Sequence, residues 1–240
     1  MAPSPPRPSH VLRTLLTLAA ILPGLLSGLF VLGITGDRRR AINHAIDLWG
    51  RWGTRAAGIR LEIDHPRRLK TCNPTVYVLN HRSGVDPIIV CALFRRDIFA
   101  IVKHELRTNP ILGPAFAFAG VVFIKRGQPD QAPQALAPAV EAIQSGLSLV
   151  ITPEGTRSTE STLGAFKKGA FHVAMAAGVP VVPIVIANAD DVLPFGGWLM
   201  RPATVQVSVL EPVSTACWSL ETLDEEIGKI HQSFVEHLGP

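Results

Sequence analysis

Residues Thr75-Val76-Tyr77-Val78-Leu79-Asn80-His81-Arg82-Ser83-Gly84-Val85-Asp86-Pro87-Ile88-Ile89 pass from a β-branched apolar run, through a short polar stretch, into a second apolar run. That is the pattern of a buried strand, a turn and a helix. Ser83-Gly84 favours the turn, and Asp86-Pro87 reads as N-cap and first residue of a helix continuing through Ile88, Ile89, Ala92 and Leu93. In one continuous helix, residues five apart lie about 140° apart around the axis and do not meet. Across a turn, by contrast, His81 can fold back onto the carboxylate of Asp86 and form a proton-accepting dyad. The competing reading is plain: aspartate falls five places after a histidine by chance roughly one time in twenty, and the chain has eight histidines. On that reading Asp86 is a helix cap and His81 a satisfied residue ending a strand. The rest of the chain has to decide between them.

Working outward, short β-branched runs recur at Thr75–Leu79, Ile98–Val102, Gly120–Ile124, Leu147–Thr152, Val181–Ala187 and Thr204–Leu210. Helical stripes lie between and after them: Leu136, Val140, Ile143 and Leu147 form one, and Leu220, Leu223, Ile227, Ile230 and Phe234 another. This alternation predicts an α/β fold, a central mostly parallel or mixed sheet covered by helices, with motifs at the strand ends. No internal repeat is apparent.

The 240 residues are 47% hydrophobic with a mean hydropathy of +0.27, more apolar than a simple soluble domain requires. The surplus is concentrated between Val11 and Ile34, where Arg13 is the one charge, so Thr14 to Ile34 is long enough to cross a hydrocarbon core. A signal peptide fits poorly, because the run is long and lacks an Ala-x-Ala cleavage pattern. A single spanning helix and a short helical pair split at Pro23-Gly24 and dipping into one leaflet both fit. Arg38-Arg39-Arg40 then places the remainder on the cytoplasmic face by the positive-inside rule. From Arg38 to Ala57, Ile42, Ala45, Ile46, Trp49, Trp52 and Ala56 recur at helical spacing beside Arg39, Arg40, Arg51 and Arg55. That pattern suits an interfacial helix and equally an amphipathic helix packed on the domain. The expected organisation is a disordered tail over residues 1–10, a membrane anchor with interfacial helix over 11–58, and a catalytic domain over 59–240.

A net charge of +4 and a single tyrosine give neither a long basic face nor a base-stacking platform, which argues against nucleic acid. Cys72, Cys91 and Cys217 have no metal-ligand spacing and read as structural thiols in a reducing compartment. No metal is expected. A serine hydrolase is disfavoured because no Gly-x-Ser-x-Gly elbow is present.

Basic clusters follow the strands. Lys103-His104-Glu105-Leu106 comes after one, Lys125-Arg126-Gly127 after the next, and Pro153-Glu154-Gly155-Thr156-Arg157-Ser158 after a third. Arg126 and Arg157 each present a planar fork of donors suited to phosphate, Lys103 can add a third positive charge, and Gly155 lets backbone approach a ligand. Singly, each is more often a solvated strand-end cation, and Glu154 has an ordinary use in pairing with Arg157 or with Lys168.

The ordered set is more specific. Asn80-His81-Arg82-Ser83-Gly84-Val85-Asp86, Gly120-Val121-Val122-Phe123-Ile124-Lys125-Arg126, Pro153-Glu154-Gly155-Thr156-Arg157-Ser158 and Val181-Val182-Pro183-Ile184 resemble, in order and spacing, the four blocks of the glycerolipid acyltransferases. The likeness is strongest to the 1-acylglycerol-3-phosphate acyltransferases and extends over roughly Leu61 to Leu210. It implies His81 as general base and Asp86 as its orienting partner. Arg126, Glu154, Gly155, Thr156 and Arg157, with Lys103, would then serve the phosphorylated acceptor. Lys125 stands where the family often has an acidic residue, and Gly84 where it is often bulkier. The implied reaction moves a fatty acyl group from acyl-CoA or acyl-carrier protein to the sn-2 hydroxyl of lysophosphatidate, at the surface of membrane lipids and with no cofactor beyond that co-substrate. The same chemistry on another lysolipid, or a non-catalytic lipid-binding protein of the same fold, are the alternatives.

Overall fold

The computed structural model describes residues 7–70, 72–109, 112–124, 132–155 and 163–239. Its chain divides into two compact units, one built from residues up to Glu62, Arg82–Arg96 and Ala187–Gln206, the other from Ile63–His81, Asp97–Ile186 and Val207 onward.

Among the described residues, seven strands form a mixed sheet in the order β1-β7-β6-β2-β5-β3-β4. They are β1 (Ile59–Asp64), β2 (Val76–Leu79), β3 (Ile98–Lys103), β4 (Val122–Ile124), β5 (Ser148–Ile151), β6 (Val181–Ile186) and β7 (Ala203–Val209). β2 runs parallel to β5 and β6, and β3 parallel to β5 and β4, while β7 returns antiparallel to β6. The mixed α/β sheet is the one the alternation predicted. β2 and β6 are buried along their whole length, which is why they read as continuous apolar runs rather than alternating ones. β1 was not among the expected strands. Its Arg60, Glu62 and Asp64 alternate with half-buried apolar residues, and its charged face leaves too weak an apolar signature to stand out.

In the second unit the sheet packs against α6 (Ala132–Gln144), α7 (Gly169–Ala177) and α8 (Leu223–Leu238), while α5 (Leu112–Ala119) lies against the turn at His104–Thr108. Ile143 of α6, Phe171 and Val173 of α7, and Leu223, Ile227, Ile230 and Phe234 of α8 join Val76, Leu149 and Val181 in one core. Leu220 falls outside α8 and is 74% exposed. The predicted stripe thus begins one turn late, at Leu223, because Ser219 and Thr222 exchange side-chain and backbone hydrogen bonds that hold a turn ahead of the helix. The Cys91 thiol is pushed up to about 12 by burial, as suits a structural thiol.

In the first unit, α1 (Pro8–Ala19) and α2 (Ile21–Thr35) are separated only by Ala20. The interruption precedes the expected Pro23-Gly24. Pro23 has no N–H for the Ala19 carbonyl, so it is accommodated in the first turn of a new helix and the break falls in front of that turn. By length and composition, Pro8–Thr35 is apolar enough to cross a membrane. α1 is inside out: His10, Thr14 and Thr17 are buried, while Leu12, Leu15, Leu16 and Leu18 are between 52% and 62% exposed. The two threonine hydroxyls donate to the His10 and Arg13 carbonyls of their own helix, so burying them leaves no polar group unmatched.

α3 (Arg38–Ala57) matches the predicted helix, opened by Asp37, whose side chain accepts from the Arg40 amide, and closed by Gly58 in the left-handed region. It buries a strip of small residues, Ala41, Ala45, Gly50, Gly53 and Ala57, and leaves Trp52 55% exposed. The strip lets neighbours come close. A β-carbon on Gly50 would lie 2.6 Å from the Ala92 nitrogen, and one on Gly53 2.8 Å from Ile88 Cγ2, both in α4 (Asp86–Phe94). Gly50→Ala should therefore destabilise the protein by about 1–3 kcal/mol through overpacking, although alanine is the better helix former by about 1 kcal/mol. Chemical unfolding of the two proteins measures the difference, and a stabilised variant would contradict the close approach.

Candidate active site

The site is built where β2 ends. Asn80 is buried, and its side chain donates from Nδ2 to the Ile186 carbonyl at 2.8 Å and accepts at Oδ1 from the Ile186 amide at 2.8 Å. The side chain thus continues the pairing of β2 with β6 after the backbone has left the ladder, and the next residue, His81, is released from the sheet at a fixed point. Its own amide donates to Glu154 Oε1 at 2.8 Å. The second carboxylate oxygen, Oε2, accepts from the Gly164 amide at 3.0 Å.

Glu154 is only 6% exposed and sits in a tight turn after β5, in which the Gly155 amide donates to the Thr152 carbonyl at 3.1 Å. Pro153 suits the second position of that turn, and Gly155, with φ +74, takes a conformation that disfavours other residues. The Lys167 amide donates to the Pro153 carbonyl. The carboxylate therefore joins three segments of the second unit through backbone donors. Lys168, one of its expected partners, pairs with Asp224 instead, at 2.7 Å.

Asp86 belongs to the first unit. It is the first residue of α4, not the residue before it. Its Oδ2 reaches back to accept from the amides of Arg82 and Ser83, each at 3.1 Å. The expected cap is thus shifted by one position because the carboxylate is used by the turn that precedes the helix. Ser83 is buried and donates from Oγ to the Leu193 carbonyl at 2.8 Å. Amides of the turn thus find an acceptor in the side chain that follows it, which holds the loop in one shape.

Sequence placed its remaining candidates after strands, and the topology gives that a spatial meaning. In the parallel ladders of the second unit, Val78 lies beside Ile151, Val102 beside Phe123 and Lys103 beside Ile124. The segments carrying His81, Lys103 and Glu154 therefore leave the sheet at the carboxyl ends of β2, β3 and β5, the edge at which open α/β sheets bind ligands. Lys125, Arg126, Thr156 and Arg157 lie outside the described residues, and of Lys103 only the backbone is described. Among the described residues, no group of three or more His, Cys, Asp or Glu gathers as a metal site. Sequence reading did not anticipate Asn80 or Ser83 as supports of the loop. Both stand inside the first block, and a polar residue directly after a fully apolar strand was the signal.

The His81 loop, held by Asn80, Glu154 and Asp86, thus stands at the carboxyl edge of an α/β sheet. The chain belongs to the acyltransferase family, whose model matches residues 60–187. It is 32% identical over 182 residues, 75% of this chain, to a 1-acyl-sn-glycerol-3-phosphate acyltransferase of Limnanthes alba. It is 34% identical over 160 residues, 66% of this chain, to the beta form of that enzyme from Homo sapiens. The chain spans 64% of the length of the Limnanthes protein and 58% of the human one. The crystal structure of the 1-acyl-sn-glycerophosphate (LPA) acyltransferase PlsC from Thermotoga maritima superposes with a TM-score of 0.75 at 25% identity, covering 95% of this chain and 97% of that one.

The Glu154 geometry has a direct consequence. Replacing Glu154 by Ala removes the acceptor of two part-buried amide donors, at up to about 1–3 kcal/mol each, and Gln turns an NH2 group toward one of them. Amide hydrogen exchange should show His81 and Gly164 protected in the wild type and much faster in both variants. Unchanged protection would mean that the carboxylate does not hold these segments.

Proposed function

We propose that the protein transfers a fatty acyl group from a thioester, acyl-CoA or acyl-carrier protein, to the sn-2 hydroxyl of 1-acylglycerol-3-phosphate, forming phosphatidate. The observation that carries the reading is His81 at the carboxyl end of β2, its amide pinned by a buried carboxylate, with the phosphate-suited clusters following neighbouring parallel strands. The likeness to 1-acyl-sn-glycerol-3-phosphate acyltransferases supports the same acceptor.

In the proposed reaction the neutral His81 imidazole takes the proton of the acceptor hydroxyl as its oxygen attacks the thioester carbonyl carbon. Asp86 keeps the other ring nitrogen protonated and stabilises the imidazolium that forms. The tetrahedral intermediate collapses, the carbon–sulfur bond breaks, and the proton on His81 passes to the departing thiolate. No enzyme nucleophile takes part. Arg126, Arg157 and Lys103 hold the acceptor phosphate and so set the distance from its hydroxyl to His81, which turns binding into orientation. Thr156 and the backbone at Gly155 complete that cradle, and Glu154 positions the loop rather than meeting the phosphate.

The acceptor is an amphiphile, which gives the inside-out α1 its purpose: its exposed leucines suit lipid and its buried threonines suit the protein. The unit carrying α1–α3 therefore sits at the membrane, with the catalytic machinery on the cytoplasmic side where the exposed Arg38, Arg39 and Arg40 meet anionic headgroups.

Purified protein given a labelled long-chain acyl thioester and a panel of lysolipids tests the reaction. Wild type should form phosphatidate, and His81→Ala should lower the rate by about 10²–10⁴; equal product from both proteins would sink the base assignment. Arg157→Ala should raise the KM for lysophosphatidate about ten- to a hundredfold, the worth of a charge-assisted hydrogen bond, and leave thioester binding unchanged. Unaltered acceptor kinetics would remove Arg157 from the phosphate site.

A further inference from the structure

The first unit carries a second apolar feature that the motifs do not account for. Between Val192 and Arg201 the chain reads Leu193-Pro194-Phe195-Gly196-Gly197-Trp198-Leu199-Met200, without a charge. Phe195 is 51% and Trp198 65% exposed, while Val192 and Met200 at the base are buried. The base is stitched shut: the Arg201 amide donates to the Val192 carbonyl at 2.8 Å, and the Met200 amide donates to Thr14 Oγ1 of α1 at 2.9 Å. At the tip, the Gly197 amide donates to the Pro194 carbonyl at 3.0 Å. Gly196, with φ +71, supplies the left-handed third position of that turn, which glycine favours. Two large aromatic residues are thus held outward by a constructed turn, not left over from a frayed segment.

We propose that Pro194–Trp198 is a second membrane-insertion element, a wedge whose Phe195 and Trp198 enter the headgroup layer of a phospholipid bilayer beside α1. The proposal rests on the reading that this unit sits at the membrane. The occupant follows from continuity and charge. Thr14 lies on the buried side of the helix whose other side exposes Leu12, Leu15, Leu16 and Leu18. Trp198 is two residues from the amide bonded to Thr14, a reach of about 7 Å, less than the roughly 10–12 Å diameter of a helix. The tip therefore stands beside α1, the helix whose exposed leucines meet the boundary in the proposed placement. Tryptophan favours that boundary, with its apolar rings buried and its N–H hydrated. Exposed Arg38, Arg39, Arg40, Arg51 and Arg55 of the same unit complement anionic headgroups.

Intrinsic fluorescence of the full chain tests the wedge, using vesicles of phosphatidylcholine and phosphatidylglycerol with and without acyl-chain-brominated lipid. The difference between wild type and Trp198→Phe isolates the emission of Trp198, and a Leu26→Trp substitution, at a position 66% exposed on α2, reports on the anchor. Trp198 should shift to the blue and be quenched by bromine. The Phe195→Ser, Trp198→Ser double variant, with an unchanged thermal melt, should partition into vesicles about tenfold or more weakly. Quenching at position 26 without quenching at Trp198 overturns the wedge and leaves the anchor standing. Quenching at neither position overturns both. A blue shift that grows with protein concentration in the absence of vesicles also overturns the proposal, in favour of contact between copies of the chain.

Discussion

A backbone leaving a buried parallel strand carries amides into a place that water does not reach, and each must find an acceptor or cost about 1–3 kcal/mol. The segment after β2 answers this constraint with side chains. Asn80 replaces the lost ladder partner of Ile186, Glu154 takes the His81 and Gly164 amides, and Asp86 takes the Arg82 and Ser83 amides. Polar residues that look like a cluster of reactive groups are, on this view, first a scaffold for a loop. His81 stands at the head of that scaffold, with its amide held by Glu154. A histidine on an unsupported loop would sample many orientations, and catalysis that depends on placing a proton acceptor within hydrogen-bonding reach of a hydroxyl would lose most of its advantage.

The strands and their order of appearance were readable because parallel, doubly covered strands must be apolar at nearly every position; Val76 to Leu79 and Val181 to Ile186 show this directly. The His81 and Glu154 segments were readable as strand-end loops because they follow such strands. What sequence could not supply was the identity of long-range partners. Glu154 stands three residues from Arg157, and proximity in the chain suggests an ion pair; its described partners are amides of residues 81 and 164. Asp86 was legible as an acceptor at a helix mouth, but not the direction in which it accepts, since a carboxylate there can serve amides on either side. β1 was missed because half of its residues are charged, and the break at Ala20 because the effect of Pro23 falls on the turn before it.

The first unit obeys a different solvent rule from the second. In the second, core positions are apolar and the exposed stripe of α8 carries Glu225, Glu226 and Lys229, which pair with one another. In α1 the preference is reversed, with threonine inward and leucine outward. Water would penalise that arrangement along the whole helix, whereas in a lipid boundary the same leucines are at no disadvantage and the threonine hydroxyls are already bonded to carbonyls of their own helix.

Within the first unit, the small-residue strip of α3 faces both α2 and α4. Glycine in a helix interior costs about 1 kcal/mol relative to alanine, and α3 carries both Gly50 and Gly53 in its middle. The return is proximity: α3 meets α4 with the Ala92 backbone too close for any β-carbon at position 50, and Gly24 of α2 approaches the Ala45 carbonyl in the same manner on another part of α3. Contacts made against backbone leave little flexible side chain to absorb a shift, so the approach of α3 to α4 at position 50 is tightly set. The residue that opens α4 is Asp86. The carboxylate proposed to orient the base thus opens the helix against which the glycines of α3 pack, a close approach that alanine at position 50 does not allow.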